Sequence, residues 1–166
     1  MRFRFRTRLG CLGLLALIAT TALGSAQAES FSGIRVDVGP LIAQGNGPQA
    51  EALRGDLLDA LRRSFADRLG REGPLLVVRI RSLSINPYAG SQGGRGGLSG
   101  GTSSDYLDGE ALVVGRRGEI LRRHPQLSAT PSSSGGAWYD PASERRRVAA
   151  IAEHYAGWLR RALPAD

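Results

Sequence analysis

Few residues in this chain have the type and spacing for chemistry, and each set can be weighed in turn. Ser132-Ser133-Ser134 lies eight to ten residues after His124, so a serine nucleophile with a histidine base is one reading. The tract lacks the GxSxG frame that strains a nucleophile onto a sharp turn, and Gly135-Gly136 behind it reads as turn material. Asp108 and Glu110 are a carboxylate pair two residues apart, hence on one face of one strand. Two acids so placed cannot face each other across a glycosidic bond. Ion pairs with Arg79 and Arg81 of a neighbouring strand suit them better.

Metal and cofactor chemistry finds little support. His124 and His154 are the two histidines, thirty residues apart, and there is no HExxH. The single cysteine, Cys11, lies among the first residues. The glycine-rich stretch around 89–104 has no GxGxxG spacing, no lysine after it and no helix start at its end, which excludes a nucleotide-phosphate cradle. No cofactor and no metal are therefore expected.

Binding chemistry is better represented. Trp138 and Tyr139 stand together just before a helix start, and Arg145, Arg146 and Arg147 follow in its first turns. Aromatic and arginine side chains are favoured at interfaces. Three cations at a helix N-terminus oppose its dipole unless acids or an external anion offset them. These five residues are the candidate partner-binding set. The arginines alone would make an anion-binding module for acidic lipid or polysaccharide phosphate.

The elements that must position these residues follow from hydrophobic spacing. Ile34, Val36 and Val38 alternate as a strand. Ala50, Leu53, Leu57, Leu58, Leu61, Phe65 and Leu69 recur at three and four, as a helix with Gly70 as a left-handed cap and Asp59–Arg63 as an outer pair. Leu75–Ile85 is a strand with a conflict: Leu76, Val78 and Ile80 share one face, while Leu83 and Ile85 fall on the arginine face. A bulge near Ser82 resolves it. Residues 89–104 are a flexible Gly/Ser-rich loop on composition. Tyr106–Val114 and Glu119–Leu127 flank Gly115-Arg116-Arg117-Gly118 as a hairpin, with Gly118 at a left-handed position. A last helix carries Val148, Ile151, Ala152, Tyr155, Leu159 and Ala162 as its buried stripe, with Asp140 as N-cap and Pro141 in its first turn. The order β-α-β-β-β-α predicts an α+β, two-layer sandwich, two helices on one face of a small, mostly antiparallel sheet.

The start of the chain reads as an address. Arg2, Arg4, Arg6 and Arg8 precede the apolar run Leu9–Leu23, and Ala26 and Ala28 supply small residues at −3 and −1 of a cleavage site. This is the pattern of a secretory signal peptide over residues 1–28, cleaved after Ala28. The run is short of the ~20 residues of a membrane span. Cys11 precedes the apolar core and Arg8 sits where an aliphatic residue is wanted, so no lipid attachment is expected. Residues 29–166 then form one domain in the bacterial periplasm. Of 22 basic residues, all arginine, four fall in the leader, which leaves a net charge of +3 against the 15 acids and argues against nucleic-acid binding.

The segments Pro74–Leu83 (PLLVVRIRSL), Tyr106–Leu121 (YLDGEALVVGRRGEIL) and Arg147–Leu163 (RVAAIAEHYAGWLRRAL), with a glycine-rich interruption, give an order of elements that resembles a loose group of bacterial envelope domains. The group includes the amino-terminal domain of the Tol translocation β-propeller protein, auxiliary lipoproteins of lipid-transport ABC systems, and lipoprotein families of unknown function. The resemblance covers most of residues 31–163 and implies a non-catalytic accessory role, with no site residues transferred. The chain is accordingly read as a periplasmic, envelope-associated accessory protein that binds an envelope protein or an anionic envelope component. The alternatives are a small hydrolase using a serine of 132–134 with His124, and the anion-binding module at Arg145–Arg147.

Overall fold

The computed structural model describes residues 30–86, 103–137 and 139–163. The expected leader, Trp138 and all but the last two residues of the expected loop 89–104 lie outside them. Strand β1 (Gly33–Asp37) is followed by a short helix α1 (Gly39–Ala43), helix α2 (Gly47–Ser64), strands β2 (Leu75–Ser84), β3 (Ser104–Val114) and β4 (Ile120–Pro131), and helix α3 (Ser143–Ala162). The sheet order is β1-β2-β3-β4, with β1 parallel to β2 and the other pairings antiparallel. Both long helices cover one face: α2 packs on β1, α3 on β3 and β4, and the helices touch each other. This is the expected α+β sandwich, with α1 added.

The core follows the alternation of the strands. Val36, Leu76, Val78, Ile80, Leu107, Ala111 and Val113 face the helices and meet Leu53, Leu57 and Leu61 of α2 and Val148, Ile151, Tyr155 and Leu159 of α3. The conflict in β2 is resolved as its pattern requires. The β2–β3 register shifts between Ile80 and Ser82, so Leu83 and Ile85 return to the helix side and pack on the core. Gly109 sits beside this irregularity, where a Cβ would stand 2.6 Å from the Arg79 carbonyl and 3.0 Å from the Tyr155 hydroxyl. Only glycine lets β3 pass so close over the buried Tyr155 ring. Burial pushes the Tyr155 phenol up, and the nearby Asp108 carboxylate adds to the shift.

Three local expectations are corrected. Helix α2 stops at Ser64 and a 3-10 turn over Ala66–Arg68 replaces its last turn. The cause is Arg68, whose buried guanidinium packs over the rings of Phe31 and Phe65 and donates to the Leu163 carbonyl. Leu69 then bridges to Phe31, and Gly70 is not left-handed. Arg63 reaches across to Glu153 of α3 instead of back to Asp59, which meets Arg62 at 3.9 Å. Helix α3 starts at Ser143, and Asp140 acts just before it, its carboxylate accepting from the Ala142 N–H at 2.8 Å. That bond and the Arg146 guanidinium hold the Asp140 carboxyl below its ordinary range.

Candidate functional site

The structure gives the three arginines of α3 separate tasks. Arg145 forks onto Asp56 of α2, which raises its own pKa. Arg146 binds the Gly135 carbonyl at 2.8 Å and Asp140 at 2.7 Å. Arg147 is only 4 % exposed and grips Asp105 through both Nε and Nη2, while Nη2 also donates to the Asn86 carbonyl at 2.8 Å. Asn86 in turn donates its N–H to Asp105 at 2.9 Å. The ring Arg147–Asp105–Asn86 ties the end of β2 to the start of β3 under the first turns of α3. Arg147 is buried with Asp105, while Arg145 and Arg146 remain about half exposed beside their carboxylate partners. Each of the three arginines expected to bind an anion thus already meets a carboxylate of this chain.

Gly135 makes this packing feasible. A Cβ there would lie 2.4 Å from the Ser143 carbonyl and 2.6 Å from Arg147 Cγ, so the 3-10 turn Ser132–Gly135 rests flat on α3 only with glycine. Tyr139, the described half of the aromatic pair, is exposed beside this turn. The cleft next to it, about 570 Å³, is bounded by Ser84, Asn86, Asp140, Ser143, Glu144 and Arg147. Its charged groups are bound within the chain: Gln49 donates to Glu144 at 2.8 Å, Asp140 holds Arg146, and Arg147 holds Asp105.

The hydrolase alternative finds no support in the geometry. His124 lies within β4 and Ser132–Ser134 in the 3-10 turn that follows it, so seven extended residues, about 23 Å, separate His124 from the end of the strand at Pro131. Ser132 Oγ instead donates to the Ser103 carbonyl at 2.9 Å. The carboxylates behave as expected of cross-strand partners. Arg81 binds Asp108 at 2.7 Å, and Glu110 lies under Arg123 at 2.6 Å and Arg79 at 3.7 Å. Arg79 continues to Asp37 at 2.9 Å, which completes a charged row across the open face of all four strands. The backbone N–H of Gly39 and then Arg79 hold the Asp37 carboxyl below its ordinary range.

The surface that offers most to a partner is the outer edge of β4. Pro125 pairs with Glu110, and a residue without an N–H cannot exchange the two bonds of a hydrogen-bonded pair. Residues 125, 127, 129 and 131 therefore share the other kind of position and direct their backbone groups away from β3. Among the described residues β4 pairs only with β3, so between Pro125 and Pro131 its outer edge presents the N–H groups of Leu127 and Ala129, with their carbonyls. A groove of about 310 Å³ runs here, lined by Leu127, Ser128, Ala129, His154 and Trp158. Leu127 is 66 % and Trp158 49 % exposed. Arg161 stacks on the Trp158 ring at 4.1 Å, and His154 meets it edge-on.

Leu127 and Trp158 were not among the residues the sequence singles out. Leu127 reads as one more hydrophobic in an alternating strand, and Trp158 as a neighbour of the buried stripe. The available signal was Pro125 and Pro131 in one strand, which marks it as an edge.

No protein-family model matches the chain, and no curated protein matches it. Among solved structures, a chain described as a "putative lipoprotein" from Caulobacter crescentus CB15 is similar at a TM-score of 0.42 and 14% identity, over 81% of this chain and 88% of that one. No described helix is long and apolar enough to cross a membrane.

Proposed function

We propose that this chain is a non-catalytic accessory domain of the bacterial cell envelope, exported to the periplasm by residues 1–28, and that it docks an envelope protein along β4. The observation that carries the reading is the free edge between Pro125 and Pro131, beside exposed Leu127 and Trp158. An extended segment of a partner adds to it as a fifth strand, with main-chain bonds for affinity and the Leu127–Trp158 groove for side-chain selection. Tyr139 and Trp138 are proposed as further contacts. Signal sequence, element order and the engagement of Asp108, Glu110 and Ser132 within the fold all favour binding over catalysis.

The test is co-purification from cross-linked envelopes with wild type and Ala129→Pro. Proline at 129 removes a donor that the native sheet does not use, so the fold is retained and strand addition is lost. One dominant envelope protein, captured by wild type and reduced at least tenfold with Ala129→Pro, supports the reading. Equal capture by both overturns the edge as the docking site.

A further inference from the structure

The tip of the β3–β4 hairpin combines two features that a purely structural turn does not need. The turn itself is tight: Gly115 donates to the Glu119 carbonyl at 2.8 Å, Gly118 donates to the Gly115 carbonyl at 3.0 Å, and Gly118 is left-handed at φ 85°. Arg116 and Arg117 occupy its outermost positions. The register then shifts between Val113 and Val114, because Leu121 is an extra residue in β4. In an unbroken strand, one of two adjacent side chains turns toward the helices. Here both are outside, Ile120 51 % and Leu121 58 % exposed.

The charge around this aliphatic pair is predominantly positive. Arg116, Arg117, Arg122 and Arg123 lie within eight residues, and Glu119 is the one acid among them. Glu119 is turned back into the loop: its Oε2 accepts from the Arg117 N–H at 2.9 Å, and its carboxylate lies against Gly115. Arg123 covers Glu110 yet keeps half of its side chain exposed. Arg116 meets Glu72 only at 3.9 Å, with both side chains exposed, which leaves its charge available to a stronger anion. Among the described residues, no carboxylate is within ion-pair distance of Arg117. Two adjacent aliphatic side chains ringed by guanidinium groups at the end of a rigid hairpin fit the boundary between headgroups and acyl chains.

We infer that the hairpin tip Arg116–Arg123 is a contact site for an anionic lipid bilayer surface, with Ile120 and Leu121 entering the interface and Arg116 and Arg117 meeting phosphate groups. This goes beyond strand addition and does not depend on it. Leu127 lies seven residues, about 23 Å, along β4 from Ile120 and four, about 13 Å, from Arg123, so insertion of the aliphatic pair leaves the docking edge free.

Sedimentation of the purified protein with vesicles tests the assignment, using phosphatidylcholine alone and phosphatidylcholine mixed with phosphatidylglycerol. Wild type is expected to sediment with the anionic vesicles only, and less as salt is raised. Ile120→Ser/Leu121→Ser and Arg116→Gln/Arg117→Gln each reduce bound protein at least tenfold, with the unfolding midpoint unchanged. Ala129→Pro binds vesicles like wild type, which separates this site from the protein-docking edge. Failure of wild type to bind anionic vesicles overturns the proposal, as does equal binding to both vesicle types or undiminished binding by both tip variants.

Discussion

Strands β1 and β4 are both edges of the same sheet, and the chain treats them in opposite ways. Strand β1 has five residues and runs parallel to β2. At its start the chain is already engaged, since Phe31 donates to the Arg68 carbonyl and accepts from Gly70. Strand β4 has twelve residues, flanking exposed aliphatic side chains and a proline at each end of a short open stretch. A short edge needs no further protection, whereas a long one invites pairing unless something limits it. Pro125 and Pro131 bracket a stretch with two outward N–H groups, those of Leu127 and Ala129, and interrupt the edge on either side of it. The difference is what favours β4 as the proposed docking side.

The largest effect that separates interior from surface is expected at α3. Arg147→Met leaves Asp105 buried without its cation and costs about 3–5 kcal/mol, of order 10 °C in the unfolding midpoint. Arg63→Met breaks an exposed pair, Arg63 Nη2 on Glu153, and shifts stability by no more than about 1 kcal/mol. Calorimetry of the two variants side by side checks the contrast.

Next is Gly109→Ala, which drives a methyl group into the Arg79 carbonyl and the Tyr155 hydroxyl. Overpacking of this kind costs about 1–3 kcal/mol, read as an earlier midpoint in urea.

A smaller effect comes with acid. Asp37 and Asp140 have carboxyls held below their ordinary values, one at the end of β1 and one before α3. Each contributes stability that is complete above about pH 4 and is lost as pH falls through its lowered folded value. Followed from pH 6 to pH 3, amide-exchange protection, taken relative to the intrinsic rate at each pH, should fall at Gly39 and Ala142 before it falls in the sheet. Replacing either aspartate with Asn removes that acid dependence at its own site only.

The smallest change in stability, about 0.5 kcal/mol or less, is expected for Pro125→Thr/Pro131→Thr. Its consequence lies in association: with two more outward donors, β4 pairs with copies of itself, visible as dimers in sedimentation velocity. A monomer at every concentration would show that the prolines do not guard this edge.

Local features of the fold were legible in the sequence, and long-range ones were not. The misplaced Leu83 and Ile85 announced the β2 bulge, because a period of two cannot put them inside otherwise. Gly118 announced the turn, because few other residues accept its φ. The arginines of α3 were legible as a cluster but not as paired charge, since Asp56 and Asp105 are 89 and 42 residues away from Arg145 and Arg147. The early end of α2 was hidden for the same reason: Arg68 is drawn away by Phe31 and Leu163. Trp158 became a candidate only once β4 proved to be an edge beside it.

The most direct measurement places a photo-activated cross-linking residue at Leu127 of β4 and, separately, at Arg35 of β1, and irradiates intact cells. The account predicts one dominant adduct with an envelope protein from position 127 and none from position 35. Adducts of equal yield from both positions, or an adduct from position 35 alone, would contradict it.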